Sequence, residues 1–308
     1  MPVIRGHSQY RKQTRSQSYA TPSLEARIMR GSEIQGVEDL RANMREYWPG
    51  IKNWKDVVGI PVTWFKNYGV LYQIAGRDKV GKSHLLSIIA AKHTQNHDVI
   101  YITTEFPAEL IHEKMLFLGA NPDRIIYIDF SKNPVGALGE AKTTYTTPFF
   151  RTPFYQKFTE AYQTASGSPI LVVIDSMTSF YESQEFSARA LAANIVRTVR
   201  YVGNVLAFGV SQKRTAHGET STEVAGGLGV SHLMDGTFIL YRYTVSPFKR
   251  VSNFLYTLSQ TYGSKLTFLS WDGNRWGPTP PHDFLLKLES KDVSVELPVG
   301  KDMNLPEV

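Results

Sequence analysis

Gly76-Arg77-Asp78-Lys79-Val80-Gly81-Lys82-Ser83 is the stretch that decides the fold. Its spacing is G-x-x-x-x-G-K-S, a loop whose glycines let successive backbone N–H groups curl around phosphate oxygens. The flanks fit. Val70-Leu71-Tyr72-Gln73-Ile74-Ala75 before it reads as a strand, and Leu85-Leu86-Ser87-Ile88-Ile89-Ala90-Ala91 after it reads as a helix. A chance glycine turn would have no reason to sit between those two elements. The pattern predicts a nucleotide cradle formed by Gly76, Arg77, Asp78, Lys79, Val80, Gly81, Lys82, Ser83 and His84, with the helix N-terminus adding a favourable dipole. Lys82 is expected to reach the β- and γ-phosphates of ATP and serve catalysis, and the Ser83 hydroxyl to bind Mg2+.

Outward from the loop, strands and helices alternate. Strand-like runs occupy 99–104, 125–128, 170–174 and 205–210, and helical patterns fall at 108–118, 154–165 and 187–202. Continuous apolar strands separated by helices predict an α/β fold: a mostly parallel sheet covered by helices on both faces. Residues 131–150 read as a long loop. After 236 the texture changes, and Thr237–Tyr243, Asn253–Leu258 and Leu266–Trp271 read as a late antiparallel β extension. Three segments are expected: a basic N-terminal arm with a short helical segment over 1–50, an ATPase core over 51–284, and a mildly acidic tail over 285–308.

The totals exclude several classes. The 308 residues, 42% of them hydrophobic, suffice for one large domain with extensions. With no cysteine, disulfides and thiolate metal sites are ruled out, and a cytoplasmic setting is expected. No apolar run approaches the roughly 20 residues of a membrane span, and the start, Met1-Pro2-Val3-Ile4-Arg5, lacks the apolar core of a secretory signal. The net charge of +6 is concentrated in residues 1–30, where Arg5, Arg11, Lys12, Arg15, Arg27 and Arg30 oppose only Glu25. Such an arm can grip nucleic-acid phosphates, solubilise the chain, or dock on a neighbouring subunit.

A phosphate loop needs a second carboxylate for the metal and a group that handles the attacking water. The run 170–174 ends at Asp175, and a strand-end acid projects from the carboxyl edge of the sheet, where α/β proteins bind ligands. Asp175 is therefore the candidate second Mg2+ ligand, against the reading of an acid that merely ends a strand. Glu105 follows the run 99–104 on the same edge and can orient or deprotonate water; the competing reading is a helix cap before Pro107. Gln212, after the run 205–210, has both a donor and an acceptor to sense a γ-phosphate. Beyond it, Lys213, Arg214 and His217 lie in a Gly/Ser/Thr-rich stretch suited to a phosphodiester backbone, or to an ordinary surface loop. Tyr145, Phe149, Phe150, Phe154 and Tyr155 cluster around Arg151 and could stack on bases, although core packing is commoner for such groups. His93 and His97 read as exposed helix-end residues rather than metal ligands.

The loop at 76–83, Tyr101-Ile102-Thr103-Thr104-Glu105, Val173-Ile174-Asp175-Ser176-Met177-Thr178, Val210-Ser211-Gln212 and Gly226-Gly227-Leu228-Gly229 resemble, in order and spacing, the RecA-like P-loop ATPase superfamily, most closely its RadA/Sms- and KaiC-like branches. The resemblance covers roughly 70–260. It implies a RecA-like fold, ATP with Mg2+, assembly into a ring or filament such as a homo-hexamer, and action on single-stranded DNA in recombination, repair or replication. It implies Glu105 as catalytic carboxylate and Gln212 as coupling residue, with segments 179–187 and 213–227 facing DNA. The KaiC-like alternative is a signalling or assembly ATPase whose nucleotide state controls a protein partner. One departure stands out. Where relatives carry K-N-R-F-G or Lys-x-Arg, cations that reach a neighbour's γ-phosphate, this chain has Ser259-Gln260-Thr261-Tyr262-Gly263. Slow turnover, or a cation from elsewhere such as Lys249, Arg250 or Lys265, is expected.

Overall fold

A computed structural model describes residues 41–138, 148–180, 188–212, 228–245 and 252–300. The chain divides into two units, Met1–Gln35 and Gly36–Val308. The first lies outside the described residues, as do the basic arm, Tyr145, Lys213, Arg214, His217, Lys249 and Arg250.

A short antiparallel pair, β1 (Met44–Tyr47) with β2 (Val62–Phe65), precedes the main sheet. The main sheet has nine strands: β3 (Val70–Gly76), β4 (Val99–Thr103), β5 (Ile125–Asp129), β6 (Ile170–Asp175), β7 (Val205–Gln212), β8 (Gly236–Thr244), β9 (Lys265–Asn274), β10 (His282–Leu288) and β11 (Val293–Gly300). Their spatial order is β11-β10-β9-β8-β3-β7-β6-β4-β5. From β8 to β5 every pairing is parallel; β8–β9, β9–β10 and β10–β11 are antiparallel. The expected α/β sheet with a late antiparallel extension is what forms.

The longer helices are α1 (Lys82–His93), α2 (Ala108–Phe117), α3 (Pro153–Thr164), α4 (Ala188–Tyr201) and α5 (Asn253–Tyr262). Alternation along each strand sorts side chains to two faces. Tyr72, Tyr101, Val173 and Phe208 pack with Leu85, Leu86 and Ile89 of α1 and with Trp54. Leu71, Ile100, Val172 and Ala207 pack with Phe154 and Phe158 of α3 and Leu191, Ile195 and Val199 of α4. The parallel strands are thus apolar on both sides, which is why they read as unbroken hydrophobic runs. Gly69 lets α4 close on the start of β3: a Cβ there would sit 1.9 Å from the Val199 carbonyl oxygen.

Several expectations are corrected. Asn253–Leu258 is not β. It opens α5, capped by Ser252, whose Oγ accepts from Leu255 N at 3.3 Å. Leu255 and Leu258, three apart, bury against Leu266, Phe268 and Leu285. Residues from 285 onward are no tail up to 300, because β10 and β11 bury Leu286, Val293 and Val295 in the main core. Met44–Tyr47, expected within a helical segment, is a strand. His93 is buried rather than exposed, with Nε2 3.0 Å from the Pro169 carbonyl oxygen. Phe154, by contrast, stacks on Phe158 inside the core, as the commoner reading of its aromatic cluster has it.

Candidate functional site

The parallel strands β3, β4, β6 and β7 all end at one edge, and of the predicted residues Lys82, Ser83, Glu105 and Gln212 meet at a cavity there, with Asp175 beside Ser83. A cavity of about 300 Å³ is lined by Asp78, Lys79, Gly81, Lys82, Ser83 and His84 of the loop, Glu105 after β4, Ser176 after β6 and Val210 and Gln212 of β7. Gly76 and Gln212 are register partners.

The loop turns because its residues allow it. Lys79 and Gly81 have φ of 60° and 107°, the left-handed region that glycine enters freely. At Gly76 a Cβ would meet the Leu240 carbonyl oxygen at 2.2 Å. Gly81 is the N-cap of α1 and no side chain caps that helix, so its first N–H groups are left for a ligand. The antiparallel extension braces the loop from behind. Arg242 of β8 donates from Nη1 to the Lys79 carbonyl and from Nη2 to the Val80 carbonyl, each at 3.2 Å. His84 Nε2 lies 2.7 Å from the Glu289 carbonyl oxygen.

Lys82 curls back, its Nζ donating to the carbonyls of Gly76 at 2.8 Å and Arg77 at 2.7 Å. Burial pulls its pKa below the usual lysine value, opposed by the charges of Asp78, Asp175 and Glu105. Ser83 Oγ donates to Asp175 Oδ1 at 2.8 Å, and the Tyr101 hydroxyl donates to Oδ2 at 3.0 Å. Asp175 is 6% exposed, and burial raises its carboxyl above the usual range against those two hydroxyl donors. The adjoining oxygens of Ser83 and Asp175 are hard donors of the kind Mg2+ takes.

Glu105 Oε1 accepts from Ser176 Oγ at 2.7 Å and Ser179 Oγ at 3.3 Å. The same turn reaches β7, where Gln212 N donates to Thr178 Oγ1 at 2.9 Å. The peptide between Asp175 and Ser176 is cis.

Sequence reasoning missed Lys114, Tyr101, Arg242 and the hydroxyls of Ser176 and Ser179. Lys114 lines the cavity from α2 and donates from Nζ to the Ser83 carbonyl at 3.2 Å. Its pKa is lowered by burial, with Asp175 acting in the opposite direction. In the sequence nothing sets Lys114 apart from the other charged residues of α2; the fold alone carries it to Ser83. The Ser259–Gly263 segment closes the last turn of α5 and carries no cation. Among the described residues no group of three or more His, Cys, Asp or Glu could hold a metal, and no helix is long and apolar enough to cross a membrane.

Comparison with known proteins agrees with this geometry. A family model described as "ATPase: KaiC" matches residues 67–251, more than half of the chain. Among solved structures the chain resembles a KaiC-like protein from the hyperthermophilic archaeon Pyrococcus horikoshii. The TM-score is 0.57 at 13% identity, over 82% of this chain and 99% of that one. At that identity the likeness establishes a common, RecA-like fold. No curated protein matches. The family match spans the phosphate loop, the strand-end acids and the whole parallel sheet, and on that ground the chain belongs to the KaiC ATPase family.

Proposed function

We propose that this protein binds Mg2+ and ATP at the cavity, hydrolyses the nucleotide, and couples turnover to single-stranded DNA as a cytoplasmic homo-oligomer, ring or filament. The observation that carries the reading is the convergence of Glu105, Ser176 and Gln212 with the loop on one cavity, and of Asp175 with Ser83 beside it.

The chain's own groups divide the work. The free N–H groups at the start of α1 would hold the β-phosphate. Lys82 would exchange the carbonyls of Gly76 and Arg77 for phosphate oxygens. Ser83 and Asp175 would hold Mg2+, which supplies charge neutralisation at the β- and γ-oxygens. Glu105, steadied by Ser176 and Ser179, would orient the attacking water and accept its proton. Gln212 would meet the γ-phosphate and pass its presence into the segment beginning at Lys213. The DNA reading draws support from the +6 charge and the cations of residues 1–30 and 213–217.

The test is the ATPase rate of wild type and Lys82→Ala with and without single-stranded DNA, across a salt series. DNA should stimulate the wild type only, and less so at higher salt. A second reading is a nucleotide-gated switch for a protein partner. It is favoured by the cation-free end of α5, since a slow switch needs little turnover. ATPase activity indifferent to DNA, with a partner captured only in one nucleotide state, would select it.

A further inference from the structure

A triphosphate brought to this cavity joins the carboxylates of Asp175 and Glu105 and needs compensating positive charge. Among the described residues the lysines that line the cavity are Lys79, Lys82 and Lys114. Lys79 and Lys82 belong to the phosphate loop, and Lys79 is exposed at its apex. Lys114 arrives from elsewhere. Helix α2 is anchored by Ile111 and Met115, both buried against the α1 side of the sheet. Position 114 between them is turned toward α1, and the half-buried side chain ends at the Ser83 carbonyl, 3.2 Å away. An ammonium has three donors; one goes to that carbonyl, and the side chain borders the cavity. The end of α5, where related chains would bring a neighbour's cations, has none.

Resting on the hydrolytic reading above, we propose that Lys114 supplies in cis the positive charge that stabilises the phosphoryl-transfer transition state. It adds no covalent step. ATP and water give ADP and phosphate, Glu105 takes the water's proton, and Lys114 stays an ammonium throughout. A charge that acts where negative charge develops lowers the barrier more than it tightens ground-state binding.

The experiment compares wild type with Lys114→Met, Lys114→Arg and Lys82→Ala, and adds Lys114→Met co-expressed with Lys82→Ala. ATPase rate, affinity for a fluorescent ATP analogue and melting temperature are measured for each. Lys114→Met should lose about 10²-fold in kcat while analogue affinity stays within about threefold. Lys114→Arg should recover most of the rate. Co-expression should restore nothing, because each site requires both lysines from one chain. Wild-type kcat in Lys114→Met overturns the proposal and leaves the hydrolytic reading standing. So does restored activity in the mixture, which would place the lysine across a subunit boundary, or a loss of affinity equal to the loss of rate. A fall in melting temperature shared by Lys114→Met and Lys114→Arg, with equal loss of rate, would make the residue structural. A wild type that binds nucleotide without cleaving it overturns the hydrolytic reading itself.

Discussion

The two edges of the parallel sheet are both rich in polar side chains, yet they differ in what those groups are doing. At the amino edge Asp98, Ser168, Asn204 and His93 each have a settled partner. Asp98 accepts from Ser166 N at 2.7 Å and Ser166 Oγ at 3.0 Å, and Arg124 lies 3.5 Å away. Ser168 Oγ donates to Asn204 Oδ1 at 2.8 Å, and Asn204 Nδ2 donates to the Gly167 carbonyl at 2.7 Å. His93 meets Pro169. At the carboxyl edge the groups border an open cavity, α1 starts without a side-chain cap, and Lys82 is parked on its own loop. Parallel strands present all their carboxyl ends together, so that edge collects ligand-facing groups while the other closes off for stability. Polar groups sealed from solvent hold a fold together; polar groups that border a cavity can exchange their partners for a ligand.

If that contrast is right, substitutions at the two edges separate cleanly. The largest effect belongs to Lys82→Ala, expected to reduce ATP hydrolysis on the order of 10³-fold with an unchanged melting temperature. A stopped-time phosphate assay with a thermal melt checks both halves. Glu105→Gln should lower kcat about 10²-fold while retaining nucleotide, which a fluorescent-analogue titration reads. At the opposite edge, Asp98→Ala leaves Ser166 N and Arg124 without their acceptor and should cost about 2 kcal/mol of stability, with kcat per folded molecule intact. Urea unfolding measures the loss, and an accompanying fall in kcat would break the contrast. The smallest effect near neutrality is a pH dependence. Burial pushes the His93 pKa down to about 4 from 6.5. The stability carried by its neutral form is whole above the unfolded value and is lost as pH falls toward about 4. Near pH 6 this amounts to about 1 kcal/mol, and His93→Gln should flatten that part of the stability profile.

The parallel half was legible in the sequence because two signals coincide there. A strand buried on both faces must be apolar throughout, and the loop between β3 and α1 has fixed glycines. Glu105, Asp175 and Gln212 followed simply as the residues after apolar runs. The extension was harder. Phe254-Leu255-Tyr256-Thr257-Leu258 has β-forming residues, yet Ser252 caps it and the sheet needs Leu255 and Leu258 on one helical face, so tertiary packing overrides propensity. β10 and β11 were obscured by the charged turn between them, where Glu289 pairs with Lys287 at the end of β10 at 2.7 Å. Lys114 and Arg242 looked like ordinary charges on a helix and a strand. Only the fold brings one to Ser83 and the other to the loop's carbonyls.

The turn after β6 has a mechanical consequence. Ser179 grips Glu105 and its neighbour Thr178 grips the backbone of Gln212, and the chain leaves this turn directly into residues 181–187. One short turn thus holds a carboxylate on one side of the cavity and a strand end on the other, and any displacement of it would reach both at once.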